Sequence, residues 1–270
     1  MMTGSAFLDQ IVATKRDAMA SIAADTRRAT HEAALKAVAH RPREHAFLEA
    51  LRRNDRANII AEVKRSSPSI GVIHEGADAV KTAILYERAG AAAISVLTEP
   101  DHFKGSLQDL RDIAANVQLP LLRKDFTVDR HQIYEAAVAG ASAILLIVAA
   151  LSDKELRDLL VIAEDELGMD ALVEAHSEGE VERALQCGTT IVGVNNRNLQ
   201  TLEVTLETSL QLARHIVEDK VFVTESGIKS PADVAMLKAC GYRAFLVGEI
   251  LMRAADPSEV LRALARGAGQ

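Results

Sequence analysis

Aromatic side chains are scarce in this sequence: they make up 3% of 270 residues, and tryptophan is missing altogether. Any core must therefore be assembled from Ala, Val, Ile and Leu, and an apolar share of 49% is enough for a sizeable one. Cysteine is nearly missing too, and two residues in a chain this long make no disulfide framework. Cys187 and Cys240 each precede a glycine at what the pattern marks as helix ends, so both are expected to be small buried residues. Basic residues are outnumbered, 31 Lys and Arg against 38 Asp and Glu, for a formal net charge of −7. That balance argues against a nucleic-acid binder, whose surface needs a basic excess. It also requires any anionic substrate to find a local cationic pocket. Long hydrophobic runs are lacking as well. The uncharged stretch 136–152 is shorter than a membrane span and is split by Gly140. Lys15, Arg16 and Asp17 interrupt the N-terminal segment where a secretory signal would be apolar. The expectation is a soluble cytoplasmic protein with neither a nucleic-acid nor a membrane partner.

What is present is rhythm. Residues 5–24 place Phe7, Leu8, Ile11, Val12, Met19 and Ile22 at helical spacing, and a short second helix is expected near Arg43 to Arg52, carrying Phe47 and Leu51. Both are read as an end cap for the core. Apolar strand-like runs then recur at 59–63, 93–97, 119–123, 143–148, 171–175, 191–195, 220–224 and 244–248. Helical patterns separate them. Ser152…Glu155 and Ser177…Glu180 fit the capping box, while Ser230-Pro231 and Asp256-Pro257 place a cap before a first-turn proline. Gly90, Gly140, Gly188 and Gly241 close helices just ahead of the next strand, where a left-handed residue is needed. Strict alternation of strand and helix implies a parallel sheet buried on both faces, and eight units close into a (β/α)8 barrel. An open doubly wound sheet would carry a Gly-x-Gly-x-x-Gly turn after the first strand, and Arg65-Ser66-Ser67-Pro68 stands there instead. The domain reading is one barrel over 1–270, of which 1–57 is an N-terminal helical extension.

Barrel enzymes work at the C-terminal ends of their strands. Six of the eight runs end in charged or amide residues: Glu62 and Lys64 on the first, Lys124 on the third, Glu174 on the fifth, Asn195 with Arg197 on the sixth, Glu225 on the seventh and Glu249 after the eighth. In a strand, Glu62 and Lys64 point to the same side. A structural ion pair is the plain alternative at any one of these ends, but all of them converge on one mouth. No Cys or Ser stands beside a His as a nucleophile would, and the eight histidines form no metal-binding spacing. His176, near the fifth strand, is read as a residue of the rim or of the layer behind the reacting groups. Lys with Glu is the equipment of proton transfer, with Asn and Arg to hold oxygens. Gly227 and Gly248, after the seventh and eighth strands, let backbone approach a phosphate, and Ser67 with Lys64 adds donors and charge.

Taken in order, Ile60-Ala61-Glu62-Val63-Lys64-Arg65-Ser66-Ser67-Pro68-Ser69, Leu97-Thr98-Glu99, Phe103-Lys104-Gly105-Ser106, Leu122-Arg123-Lys124-Asp125-Phe126, Leu145-Leu146-Ile147-Val148, Leu172-Val173-Glu174, Gly193-Val194-Asn195-Asn196-Arg197, Thr224-Glu225-Ser226-Gly227 and Leu246-Val247-Gly248-Glu249 closely resemble the indole-3-glycerol phosphate synthase family. Only Ile70 departs, in a loop, from the small or basic residue found in many members. The resemblance implies ring closure, decarboxylation and dehydration of 1-(2-carboxyphenylamino)-1-deoxyribulose 5-phosphate, an anthranilate-derived sugar phosphate. It implies that Lys124 is the general acid, that Lys64 holds the substrate carboxylate and assists dehydration, and that Glu174 is the base or acid that handles the anilino proton and the leaving hydroxyl, with Glu62 nearby. Asn195, Arg197, Glu225 and Ser226 would orient these groups. Ser67, Gly227, Gly248 and the Glu249 N–H would receive the phosphate, and Phe103, Phe126, Leu145 and Leu246 would wall the aromatic ring. His176 and Asn196 receive no role. No metal and no organic cofactor is implied, since acid–base steps suffice, and a monomer is the working expectation. The rival is a Schiff-base aldolase, or another barrel that binds sugar phosphates.

Overall fold

The computed structural model describes residues 4–40, 45–67, 71–74, 76–198 and 201–266, the side chains from Phe7 onward. Arg43 of the second expected helix, and Pro68, Ser69 and Ile70 of the first loop, lie outside these residues. The eight barrel strands are β1 (Asn58–Val63), β2 (Ala93–Leu97), β3 (Leu121–Lys124), β4 (Ala143–Ile147), β5 (Asp170–Ala175), β6 (Ile191–Asn195), β7 (Val221–Glu225) and β8 (Ala244–Val247). Each pairs in parallel with its neighbours in sequence, and β8 pairs with β1, so the sheet closes on itself. Every expected strand is found, its ends shifted by no more than two residues.

The closure explains the continuous apolar runs. Along β1, Ile59, Ala61 and Val63 pack outward under the helices, while Ile60 points into the barrel with Leu122, Leu172, Val223 and their neighbours. The same alternation carries Glu62, Lys124, Glu174 and Glu225 inward at the C-terminal ends, each two residues beyond an interior aliphatic or small residue.

Outside lie the helices that enter the argument. Three precede β1: α1 (Gly4–Ala20), α2 (Ala24–Ala39) and α3 (Ala46–Leu51). The expected first helix ends four residues early, and Ile22 falls in the turn after it. The second, α2, has no counterpart in the pattern. It is rich in Ala and charge, buries only Ala34 completely, and so writes almost no apolar stripe. Helix α3 plugs the N-terminal end of the barrel with Phe47, Leu48 and Leu51. After the strands come α4 (Ala79–Ala89), α5 (Pro100–Phe103), α6 (Leu107–Ala114), α7 (Arg130–Val138), α8 (Asp153–Val161), α9 (Glu178–Gln186), α10 (Glu207–Leu212), α11 (Pro231–Ala239), α12 (Glu249–Arg253) and α13 (Pro257–Arg266). Gly90, Gly140, Gly188 and Gly241 sit at φ of 92°, 90°, 90° and 104°, as the helix-closing role requires.

Two expectations are corrected. Cys187 and Cys240 are free, the first half-buried against the core and the second exposed, because each is the C-cap at the open end of its helix. The Ser177 capping box forms by half: Ser177 accepts from the Glu180 N–H, but the Glu180 carboxylate is drawn instead to the N–H of His176. Among the described residues, no helix is long and apolar enough to cross a membrane.

Candidate active site

At the C-terminal mouth the strand register brings the charged residues into one layer. Leu97 stands opposite Lys124, Glu174 opposite Gly193, and Asn195 opposite Glu225. A cavity of about 150 Å³ lies among them, lined by Glu62, Lys64, Lys124, Glu174, Asn195 and Glu225. Phe103, Phe126, Leu145 and Leu246 form its apolar side, with Phe103 and Phe126 rings 6.3 Å apart. Ser67, Arg197 and Ser226 complete it. A wider cavity of about 780 Å³ adjoins it, sharing Glu62, Lys64, Arg197, Ser226 and Leu246, and reaches Gly227, Gly248 and Glu249. Every residue assigned a site role by sequence thus borders one of two connected spaces.

The electrostatics are those of paired charges held out of water. Lys64 Nζ lies 2.6 Å from Glu62 Oε1. Lys124 Nζ sits between Glu174 Oε2 at 3.2 Å and Glu225 Oε2 at 3.4 Å. Burial favours the neutral amine of Lys124, but Glu174, Glu225 and Glu62 outweigh it and hold its pKa above the ordinary lysine value. Glu62 is likewise held below the usual carboxylate range: burial opposes its charge, and Lys64 and Lys124 overcome that. Glu174 follows the same pattern with Lys124 and His176 as its cations. Glu225 goes the other way, raised by burial and by the neighbouring carboxylates despite Lys124. Two carboxylates on one lysine therefore divide into an ionised one and one that keeps its proton more readily.

Several buried polar atoms here have no hydrogen-bond partner within the protein: the Ser67 hydroxyl and both Glu225 oxygens. Buried polar groups are ordinarily satisfied, so bare ones lining a cavity mark where a polar ligand belongs. Ser226, at φ 65°, and Gly227, at φ 82°, take left-handed backbone just beyond Glu225, a conformation that costs a non-glycine residue energy and clusters at functional sites. Glu249 opens α12 and borders the wider cavity, its carboxylate 3.4 Å from Arg253.

The family is decided by sequence comparison over the whole barrel. The model of the indole-3-glycerol phosphate synthase family matches residues 8–264. This chain belongs to that family. An indole-3-glycerol phosphate synthase of Aromatoleum aromaticum is 46% identical over 263 residues, covering 96% of this chain and 99% of that one. Another, of Polynucleobacter asymbioticus, is 45% identical over 267 residues, with the same two coverages. Among solved structures, KGPDC from Streptococcus mutans superposes with a TM-score of 0.60 at 13% identity, covering 77% of this chain and 95% of that one, a likeness of fold alone.

Several residues given no role in the sequence reading stand at or behind this mouth. Gly193 leaves space for Glu225, because a Cβ there would lie 2.3 Å from Glu225 Oε1; a glycine inside a strand was the available signal. Phe7 and Leu8 of α1 reach over the mouth and line the smaller cavity, and Lys15 of the same helix pairs at 2.8 Å with buried Asp125, next to Lys124 in sequence. His176 stands against Glu174, with Nε2 3.3 Å from Oε1. Asn196 is structural: its amide donates to Thr224 Oγ1 and to the carbonyls of Glu225 and Ser226, and its oxygen accepts from the Ser209 N–H, fixing the β7 turn.

Proposed function

We propose that the chain closes the indole ring of 1-(2-carboxyphenylamino)-1-deoxyribulose 5-phosphate, releasing CO₂ and water to give indole-3-glycerol phosphate, and that the residues of the mouth divide the work. The aromatic ring enters the smaller cavity between Phe103, Phe126, Leu145 and Leu246, and the phosphate enters the wider one at Ser67, Gly227, Gly248 and the Glu249 N–H. Lys64 holds the substrate carboxylate. Arg197, Asn195 and Ser226 orient the sugar hydroxyls. The ring carbon bearing the carboxylate attacks the ketone carbon while Lys124 gives its proton to the ketone oxygen. Loss of CO₂ returns the bonding electrons to the ring. Glu174 then takes the anilino proton as the hydroxyl leaves as water with a proton from Lys64. A final proton shift from carbon to nitrogen restores aromaticity. Each step moves protons or carbon electrons, so the reading calls for no metal and no organic cofactor.

The observation that carries this reading is the position of Lys124, protonated between two carboxylates of opposite tendency and facing the bare oxygens of Glu225. A lysine held as ammonium is a poor nucleophile, which weighs against the imine-forming aldolase. The reading takes the chain as a monomer built as a single barrel domain with 1–57 as its helical extension, working in the cytoplasm. The test adds the carboxyphenylamino sugar phosphate to purified protein and follows indole fluorescence. Product at catalytic turnover supports the reading. Tight binding without product, or a covalent adduct on Lys124 or Lys64 after borohydride, overturns it.

A further inference from the structure

We propose that His176 is a positioning residue for this reaction: as an imidazolium held between Glu174 and Glu180, it fixes the Glu174 carboxylate and keeps it charged when Lys124 turns to the substrate. The inference rests on the reading of Glu174 as the proton acceptor.

His176 is the first residue after β5 and precedes Ser177, the N-cap of α9. Its backbone N–H donates to Glu180 Oε2 at 2.8 Å, and its ring Nδ1 lies 3.2 Å from the same oxygen, which sets the ring's orientation. That leaves Nε2 pointing at Glu174 Oε1 across 3.3 Å, at ion-pair separation but without hydrogen-bond alignment, and Nε2 has no hydrogen-bond partner. The side chain is only 9% exposed. Burial alone favours the neutral imidazole, but the two carboxylates prevail and lift its pKa to about 9.

The two oxygens of Glu174 therefore face different cations, Oε2 toward Lys124 and Oε1 toward His176. Lys124 lines the cavity and His176 does not. When the ketone draws Lys124 away, a buried carboxylate left without a cation would take up a proton and cease to be a base. His176, out of the substrate's reach, stays in place. The other groups around this pair do not substitute for it. Glu225 on β7 and Glu62 on β1 are carboxylates, Lys64 is engaged by Glu62, and Asn195 on β6 is neutral. The turn 148–150 after β4 carries only Val and Ala. Arg183 on α9 is committed to Asp153 and to the carbonyls of Val148 and Leu151.

The experiment compares kcat and KM against pH for the wild type, His176→Asn, His176→Lys and Glu180→Gln, with Glu174→Gln alongside. His176→Asn is expected to lower kcat about tenfold with KM changed less than about threefold, a loss on the scale of removing a supporting partner. Its acid limb should move up by about one unit or more, since Glu174 loses a cation within about 4–6 Å. His176→Lys, which restores a cation, should recover part of both. Glu180→Gln should bring the alkaline limb down from near pH 9, and should lower the imidazole titration followed by NMR, a reading that holds even if His176→Asn does not fold. The inference is overturned if the Asn and Lys variants behave alike with unmoved limbs, or if no histidine stays charged above pH 7. An active Glu174→Gln overturns the base assignment itself. An inactive Glu174→Gln beside an unshifted His176→Asn overturns this inference alone.

Discussion

The two ends of the barrel bury carboxylates in opposite ways. At the N-terminal end, Asp170 has a partner for each oxygen: Oδ2 accepts the Leu48 N–H at 2.9 Å and Oδ1 meets His45 Nδ1 at 3.0 Å, fastening the α3 plug. Asn58 donates there to the carbonyls of Leu51, Arg53 and Arg243. At the C-terminal end, Glu225 has no hydrogen-bond partner for either oxygen, and its charge is opposed only by the tip of a lysine. A backbone N–H such as that of Leu48 cannot leave, so the first arrangement anchors. A lysine tip can leave, so the second is free to react. Burial of charge by itself signals neither; the mobility of the partner decides.

The comparison breaks most sharply at Lys124. Lys124→Met should abolish measurable turnover and leave substrate binding within a few-fold; near-normal turnover would remove the acid from the scheme. Glu174→Gln should lower kcat by about 10²–10⁴, the range for a general acid or base, as read from initial rates at saturating substrate. Gly193→Ala leaves every catalytic group present but crowds Glu225 aside, so kcat should fall by up to about 10²-fold while the melting temperature moves little; an unchanged kcat would show that Glu225 need not sit where it does.

At the other end the expected losses are in stability. Asp170→Asn strips one acceptor from the plug and should cost about 1–3 kcal/mol in urea unfolding with kcat unchanged. Loss of kcat with stability intact would contradict the division between the two ends. The smallest effect concerns Glu164, whose pKa is raised to about 7 by burial and by the nearby charge of Asp170. A carboxyl with a raised folded pKa contributes stability at low pH that is lost as the unfolded chain ionises first and the folded one follows near pH 7. Glu164→Gln should therefore melt with the wild type at pH 4 and above it at pH 8. Equal melting temperatures at both would show that the group is better solvated than its position implies.

Most of the barrel was legible because parallel strands buried on both faces leave unbroken apolar runs, and because a period-two strand fixes which side Glu62 and Lys64 share. Helix α2 was illegible for the converse reason: sixteen residues that bury one alanine completely leave nothing periodic to detect. The cysteines are less buried than expected because a C-cap sits at the open end of its helix, where Cys187 is half-covered and Cys240 exposed. In the site, Lys124 and Glu174 stood out as charges ending apolar strands. Gly193 and His176 did not, since what they do, making room and holding a neighbour, depends on residues distant in sequence.

The seam between β1 and β8 has a consequence in time. Residues 58–61 pair with 244–247, so the ring is completed by its last strand. Until then the growing sheet has two open edges, and the wall carrying Gly248 is missing beside Glu62. The mouth is therefore complete only when the last strand has docked on the first, since that contact sets the Gly248 backbone against Glu62.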